Sequence, residues 1–301
     1  MQSAPTVTIE QDEKFNIYRI DFKSLTELEL YLQSDPAVNK TVFTSQKSLY
    51  MPEEFAGEPL RNAISYCHGG YVKDFDMFLK LKKQIENVNV QTVNFRRSVP
   101  AVVGSRPHVP NFVAGTPKTM FRLDKAKERK FTDIYINLAY SGDTTDEQIR
   151  NRGILTLNLI NLFEQNGISV NLYAFEASYH FDEIFIADVK LKRPDEVLNV
   201  GKCYYPLCGK EFIRRLLVRV KESMPFKGKW GIGYGAVLPE MLVRKYLGID
   251  EKKLLILPPD DMGVRGFDIY KDADAFFDSL NLSDKIVVPR YSQKKRNEAH
   301  R

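Results

Sequence analysis

Asp133-Ile-Tyr-Ile-Asn-Leu-Ala139, followed by Tyr140-Ser-Gly-Asp-Thr-Thr145 and then by Asp146 at the head of a helical pattern, decides the fold. The first segment alternates and is rich in β-branched residues, which reads as a strand. The second is a turn of small and polar residues. In the third, Ile149, Ile154, Leu157, Ile160 and Phe163 form an apolar stripe, closed by Asn166-Gly167, a helix with a glycine stop.

Downstream the alternation continues. Ser169 to Phe175 reads as a strand, and Glu183 to Leu191 as another. The short connection between them predicts an antiparallel pair with the latter at the sheet edge. Glu211 to Ser223 sets Phe212, Leu216, Leu217 and Val220 against Arg214, Arg215, Arg219 and Lys221, the pattern of an amphipathic helix. A helix over about 239–247, a buried strand over 253–258, a helix over 272–280 and a strand over 285–289 complete the pattern. Strands alternating with helices in this way predict an α/β chain with a doubly wound, mostly parallel sheet covered on both faces.

Upstream, Phe15 to Phe22 alternates as a half-buried strand, and Ser24 caps a helix from Leu25 to Leu32. Pro59 to Ser65 leads into a turn at Tyr66 to Gly70, and Asp74 is placed to cap a further helix. Between Val102 and Met120, Gly104, Gly115, Pro107, Pro110 and Pro117 make regular helix improbable. The many apolar residues of this segment predict that it is ordered and packed over the α/β domain. Three regions result: an N-terminal α+β extension over 1–130, an α/β domain over 131–290, and a basic tail over 291–301.

The composition sets outer limits. Of 301 residues, 43% are hydrophobic and 28% charged, which excludes disordered, collagenous and disulfide-scaffold classes. The longest apolar runs are strand-length, so no membrane span is predicted. The first residues lack a basic region followed by an apolar stretch, so no signal peptide is expected and the location is read as cytoplasmic. Three cysteines, with Cys203 and Cys208 five apart, fit neither a zinc knuckle nor a disulfide framework.

The order of elements over about 131–290 resembles the von Willebrand factor A domain. In that family a first-strand Asp-x-Ser-x-Ser loop, with a later threonine and aspartate, holds a divalent metal that receives an acidic residue of the partner. The same register here reads Asn137-Leu-Ala-Tyr-Ser141, so only Ser141 matches. Loss of a charge and an oxygen ligand weakens such a site. Asp143, Thr144, Asp260 and Asp261 are the remaining candidates at the carboxyl edge. Segment 104–120, together with the sequence near Tyr66 to Phe78, is also similar to uncharacterised proteins of bacteriophages and mobile elements, a likeness that runs through most of the chain and implies an origin (and a host-cell cytoplasm) but no reaction.

Three function classes are open. The first is a non-catalytic protein-binding or assembly module that uses the carboxyl edge around Asn137, Ser141, Asp143, Thr144, Asp260 and Asp261. It needs no cofactor. The second is an enzyme acting on nucleic acid or nucleotides, with the aspartates regrouped around magnesium. The third is a polyanion-binding protein using Arg96, Arg97, Arg106, Arg122, Lys125, Lys127 and the tail. A net charge of +5 is too mild to decide for it. Gly231-Ile-Gly-Tyr-Gly235 lacks the strand and helix context of a phosphate loop and reads as a tight connector.

Overall fold

The computed structural model describes residues 5–70, 76, 79, 98–104, 106–123, 130–165, 167–228, 230, 234–251, 253–258, 269–271, 275–276 and 279–280. Its centre is a seven-stranded sheet. Strand β6, Lys130–Asn137, pairs in parallel with β7, Ile168–His180, on one side and with β10, Leu254–Ile256, on the other. Strand β8, Glu183–Lys192, returns antiparallel to β7 across a two-residue turn where Phe181 has φ +51°.

β8 is not the edge that the short turn predicts. Strand β2, Asn16–Phe22, lies parallel against it, and β1, Thr6–Gln11, covers β2 antiparallel. The reason lies in burial. β8 is buried on both faces from Glu183 to Val189, and β2 brings Tyr18, Ile20 and Phe22 to one face and Ile17 to the other. Two strands of the region read as an N-terminal extension are therefore part of the main sheet. The chain is mixed α/β, with parallel ladders through β10–β6–β7 and β2–β8.

One face carries the larger helical layer. It holds α1, Leu25–Gln33, capped by Ser24, whose hydroxyl accepts from Glu27 N at 3.2 Å, with the short α2, Lys47–Tyr50, and α3, Glu53–Ala56. Next is α4, Leu60–Gly69, where the sequence reads a turn at 66–70. The helix runs on because Ala63 and Cys67, four apart, both face the core. The long helix α6, Asp146–Gln165, packs against α7, Val200–Cys208, so tightly that a Cβ on Gly153 would stand 2.4 Å from Cys208 Sγ. The opposite face is covered by α9, Glu240–Leu247, through Val243 over Phe175, Ile184 and Leu255.

Segment 102–120 differs from the expectation. It folds onto itself: strands β3, Ser98–Ala101, β4, Arg106–Pro107, and β5, Met120–Leu123, form a separate small sheet, with helix α5, Val109–Val113, between them. The prolines permit this helix because Pro110 sits in its first turn, where no amide donor is lost, and His108 Nδ1 caps Asn111 N at 3.0 Å. Val103, Phe112 and Val113 are exposed, so these three side chains are not packed over the α/β domain. The strand at 285–289 and the basic tail lie outside the described residues, as do most of 272–280 and the helix from Asp74 except for the helical positions 76 and 79. Among the described residues no helix is long and apolar enough to cross a membrane.

Candidate functional site: a cleft at the carboxyl end of β6

β7 is longer than its neighbour, and this mismatch makes the site. β6 stops at Asn137, opposite Phe175, and Leu138 N still donates to Phe175 O at 2.7 Å. Two residues further along β7, Ala177 O accepts from Leu238 N at 3.1 Å, and β9, Ala236–Val237, pairs with Ser178 and Tyr179. Glu176 therefore stands where β7 changes partner. The chain leaving β6 bends at once, since Asn137 Oδ1 accepts from Ala139 N at 3.0 Å. Arg152 on α6 ties the carboxyl ends of two strands together: its Nη1 donates to Asn137 O at 2.7 Å and to Leu257 O at 3.3 Å.

The facing wall comes from a six-residue π-helical stretch, Phe212–Leu217, that continues into α8, Val218–Glu222. A π turn inserts an extra residue per turn and is frequent at functional sites. Here its arginines and the lysine after them, expected from the sequence on a solvated face, are all buried. Residues 35–58 wrap over them and supply acceptors. Arg215 donates to the carbonyls of Ser48, Met51, Gly57 and Glu58. Arg219 Nη2 pairs with Asp35 at 2.8 Å.

Between these walls lies a cleft of about 230 Å³. Arg214 lines it at 7% exposure. Its Nη1 donates to Phe55 O at 2.7 Å and its Nη2 to Thr144 O at 3.2 Å, while the guanidinium lies 4.1 Å from the Phe55 ring centre and 5.4 Å from that of Tyr140. A longer contact of 3.5 Å joins Nη2 to Gly142 O. A guanidinium has five N–H donors, so these three carbonyls leave two. No carboxylate of the described residues pairs with it; its partners are carbonyl dipoles and ring faces. Tyr140 lies against it, and burial pushes that phenol well above the ordinary tyrosine range.

At the floor, Lys221 and Glu176 form a buried ion pair. Lys221 Nζ also donates to Ser178 Oγ at 2.8 Å and Tyr234 O at 3.0 Å, and lies 5.2 Å from the Trp230 ring centre. Burial pulls this ammonium below the usual lysine range, and Glu176 opposes the shift. Glu176 Oε2 is buried and accepts from no group of the described residues. Lys47 at the cleft wall lies 4.6 Å from the Tyr234 ring centre, its ammonium also pulled down by burial. The lining thus carries Lys47, Arg214 and Lys221 against Glu176, an excess of positive charge.

Of the carboxyl-edge candidates, Ser141 lines this cleft. Thr144 is buried beside it and contributes its carbonyl to Arg214. Asn137 is fully buried and shapes the bend instead of lining the cleft. Asp143 is exposed. Asp260 and Asp261 lie outside the described residues, as do Arg96, Arg97, Lys125 and Lys127; for Arg122 only the backbone, in β5, is described. Arg106 is exposed on β4. Among the described residues no three His, Cys, Asp or Glu side chains are grouped to hold a metal. Within 231–235, Gly235 has φ +99° and a Cβ there would meet Tyr179 O at 2.7 Å, a tight connector's requirement.

Glu176, Arg214 and Lys221 are not singled out by the sequence as site residues. A signal exists for one of them: an acid set between Phe175 and Ala177 in an apolar strand is costly to bury without a role. A broad open depression of about 990 Å³ over α9, between Glu240 and Asp250, is another concavity, and its Arg244 already pairs with Glu240 at 2.7 Å.

A family model described as Domain of unknown function (DUF7192) matches residues 5–284. No curated protein matches the chain, and no solved structure does.

Proposed function

The chain belongs to this family of unknown function, and from its cleft we propose that it is a non-catalytic binding module whose carboxyl edge captures a carboxylate-bearing group. The observation that carries this reading is Arg214, buried at the cleft wall with no acid as counter-ion among the described residues. A desolvated guanidinium with spare donors favours a planar anion, which it meets in two-pronged fashion. The volume of about 230 Å³ is below the roughly 300–1,000 Å³ of drug-sized ligand sites. It accepts one acidic side chain of a protein partner, or a free acid of that size. The partner side chain is the source consistent with an assembly role.

The von Willebrand-like reading of the sheet draws support from the parallel β10–β6–β7 set with β8 returning antiparallel. In the resembled family a metal at the first-strand loop receives the partner's acid. Here the loop's fixed cation is Arg214, held by the carbonyls of Gly142 and Thr144. A bacteriophage or mobile-element origin, with action in a host cytoplasm, rests on the likeness of segment 104–120 and of the sequence near Tyr66 to Phe78.

The test uses the full chain and the emission of its one tryptophan, Trp230, which lies beside Lys221. Titration with hexanoate should change the emission saturably, and hexanamide should not. An array of 15-residue peptides then separates the sources: glutamate-containing peptides that bind at least tenfold more tightly than hexanoate identify a protein partner, and none doing so identifies a free acid. Equal response to hexanoate and hexanamide, or to neither, overturns the reading.

A further inference from the structure

Resting on that reading, we infer that the cleft has a second recognition point and takes a ligand with a carboxylate at one end and a hydroxyl or ammonium donor at the other. Three residues of the π-helical stretch and α8 line the cleft at helical spacing: Arg214, Val218 and Lys221. The cleft lining itself places all three on one side of this stretch, and because its first part is π-helical and its second α-helical, the seven residues span somewhat less than about 10 Å of axis. The cation for the anionic end and the Lys221–Glu176 pair are therefore at opposite ends of the cleft, with the apolar Val218 between them.

The pair does not close on itself. Lys221 spends its three protons on Glu176 Oε1, Ser178 Oγ and Tyr234 O, the full complement of an ammonium. It has nothing left for a ligand. Glu176 is 4% exposed and lines the cleft, and among the described residues its Oε2 has no donor. An ionised carboxylate is acceptor-only, so the deep end recognises an O–H or N–H and rejects a second acid or a methyl group. A buried acceptor left unmatched is costly, which makes the donor a requirement and not a tolerance. The chemical class is a short ω-hydroxy or ω-amino carboxylate, whether free or as the lysine at the end of a partner's chain, whose own carboxylate and side-chain ammonium have this separation.

Discrimination by the unaltered full chain is the primary test, read through Trp230. Of 6-hydroxyhexanoate and 6-aminohexanoate, at least one should bind tenfold or more tightly than hexanoate. A decapeptide ending in lysine, against the same peptide amidated at its terminus, separates the sources. Tighter binding of the free-acid peptide than of either small molecule identifies a partner chain end, and weaker or equal binding identifies a free metabolite. In the folded fraction of Glu176→Gln the advantage of both bifunctional acids over hexanoate should vanish. If hexanoate binds as well as both bifunctional acids in the unaltered chain, this inference fails and the carboxylate reading stands. If no carboxylate binds, both fail.

Discussion

Lys221 on α8 and Glu176 on β7 face each other as a buried ion pair at the one point where β7 has passed the end of β6 and not yet met β9. The sheet's own irregularity makes room for the pair, and the pair fixes the helical layer to the sheet there.

Removing one partner leaves the other charge buried, which typically costs about 3–5 kcal/mol, whereas replacing both by apolar groups of similar size is often close to neutral. Urea unfolding should accordingly show Lys221→Met or Glu176→Leu strongly destabilised and the double variant Glu176→Leu/Lys221→Met recovering most of the loss. Additive losses in the double variant would mean that the two residues act independently.

Asp188 gives the pH dependence. It lies buried on β8 opposite Asp21 of β2, and desolvation first, then the Asp21 charge, raise its carboxyl to about 7. Below the ordinary aspartate pKa both folded and unfolded chains hold the proton and the group contributes nothing. As pH rises from about 4 to about 7 only the unfolded chain releases it, so stability falls across that window by on the order of 4 kcal/mol and then levels. Asp188→Asn should match the unaltered chain near pH 4, lack this decline, and be the more stable above pH 7. A slope unchanged by the substitution would assign it to other groups.

Gly153 and Gly201 form a contrasting pair. At Gly153 a Cβ would stand 2.5 Å from Leu207 O as well as against Cys208, while at Gly201 the nearest atom is Asn199 Oδ1 at 3.7 Å. Overpacking costs about 1–3 kcal/mol or more, whereas alanine in an uncrowded helix gains about 0.5–1 kcal/mol over glycine. Thermal unfolding should show Gly153→Ala lowering Tm by several degrees and Gly201→Ala leaving it level or higher.

All three cysteines are buried and their thiols are pushed up by desolvation, Cys203 to about 12. Because the thiolate is the reactive form, a thiol-specific reagent at pH 8 should label the native chain far more slowly than the urea-unfolded chain, which takes up three equivalents. Rapid native labelling of one site would contradict this packing.

The elements with strong periodicity are legible in the sequence: β2, β6, β7, β8, α1, α6 and α9 occur close to where the residue pattern puts them. Alternation and caps are local signals, and they survive folding where one face is buried. The helix over 211–223 is legible as a helix but not in its burial, because Arg214, Arg215 and Lys221 find their acceptors in residues 35–58 and in Glu176, far away in sequence. Polar residues pattern a solvated face only when water is the sole available partner. The place of β1 and β2 beside β8 is equally hidden, since a strand's neighbour is set by long-range pairing. At the candidate site, Ser141 and Thr144 are legible from the strand-turn-helix pattern; Glu176, Arg214 and Lys221 come together only through the fold.

The most direct test of the central claim, that the carboxyl-edge cleft receives a carboxylate on Arg214, is backbone-amide shift mapping of the isotope-labelled chain titrated with hexanoate. The account predicts saturable shifts concentrated in Ala139 to Gly142 and Ile213 to Val218, weakened at least tenfold in Arg214→Gln with the remaining spectrum still folded. Shifts centred instead on Glu240 to Asp250 over α9, or an Arg214→Gln chain that binds as the unaltered one does, would contradict it.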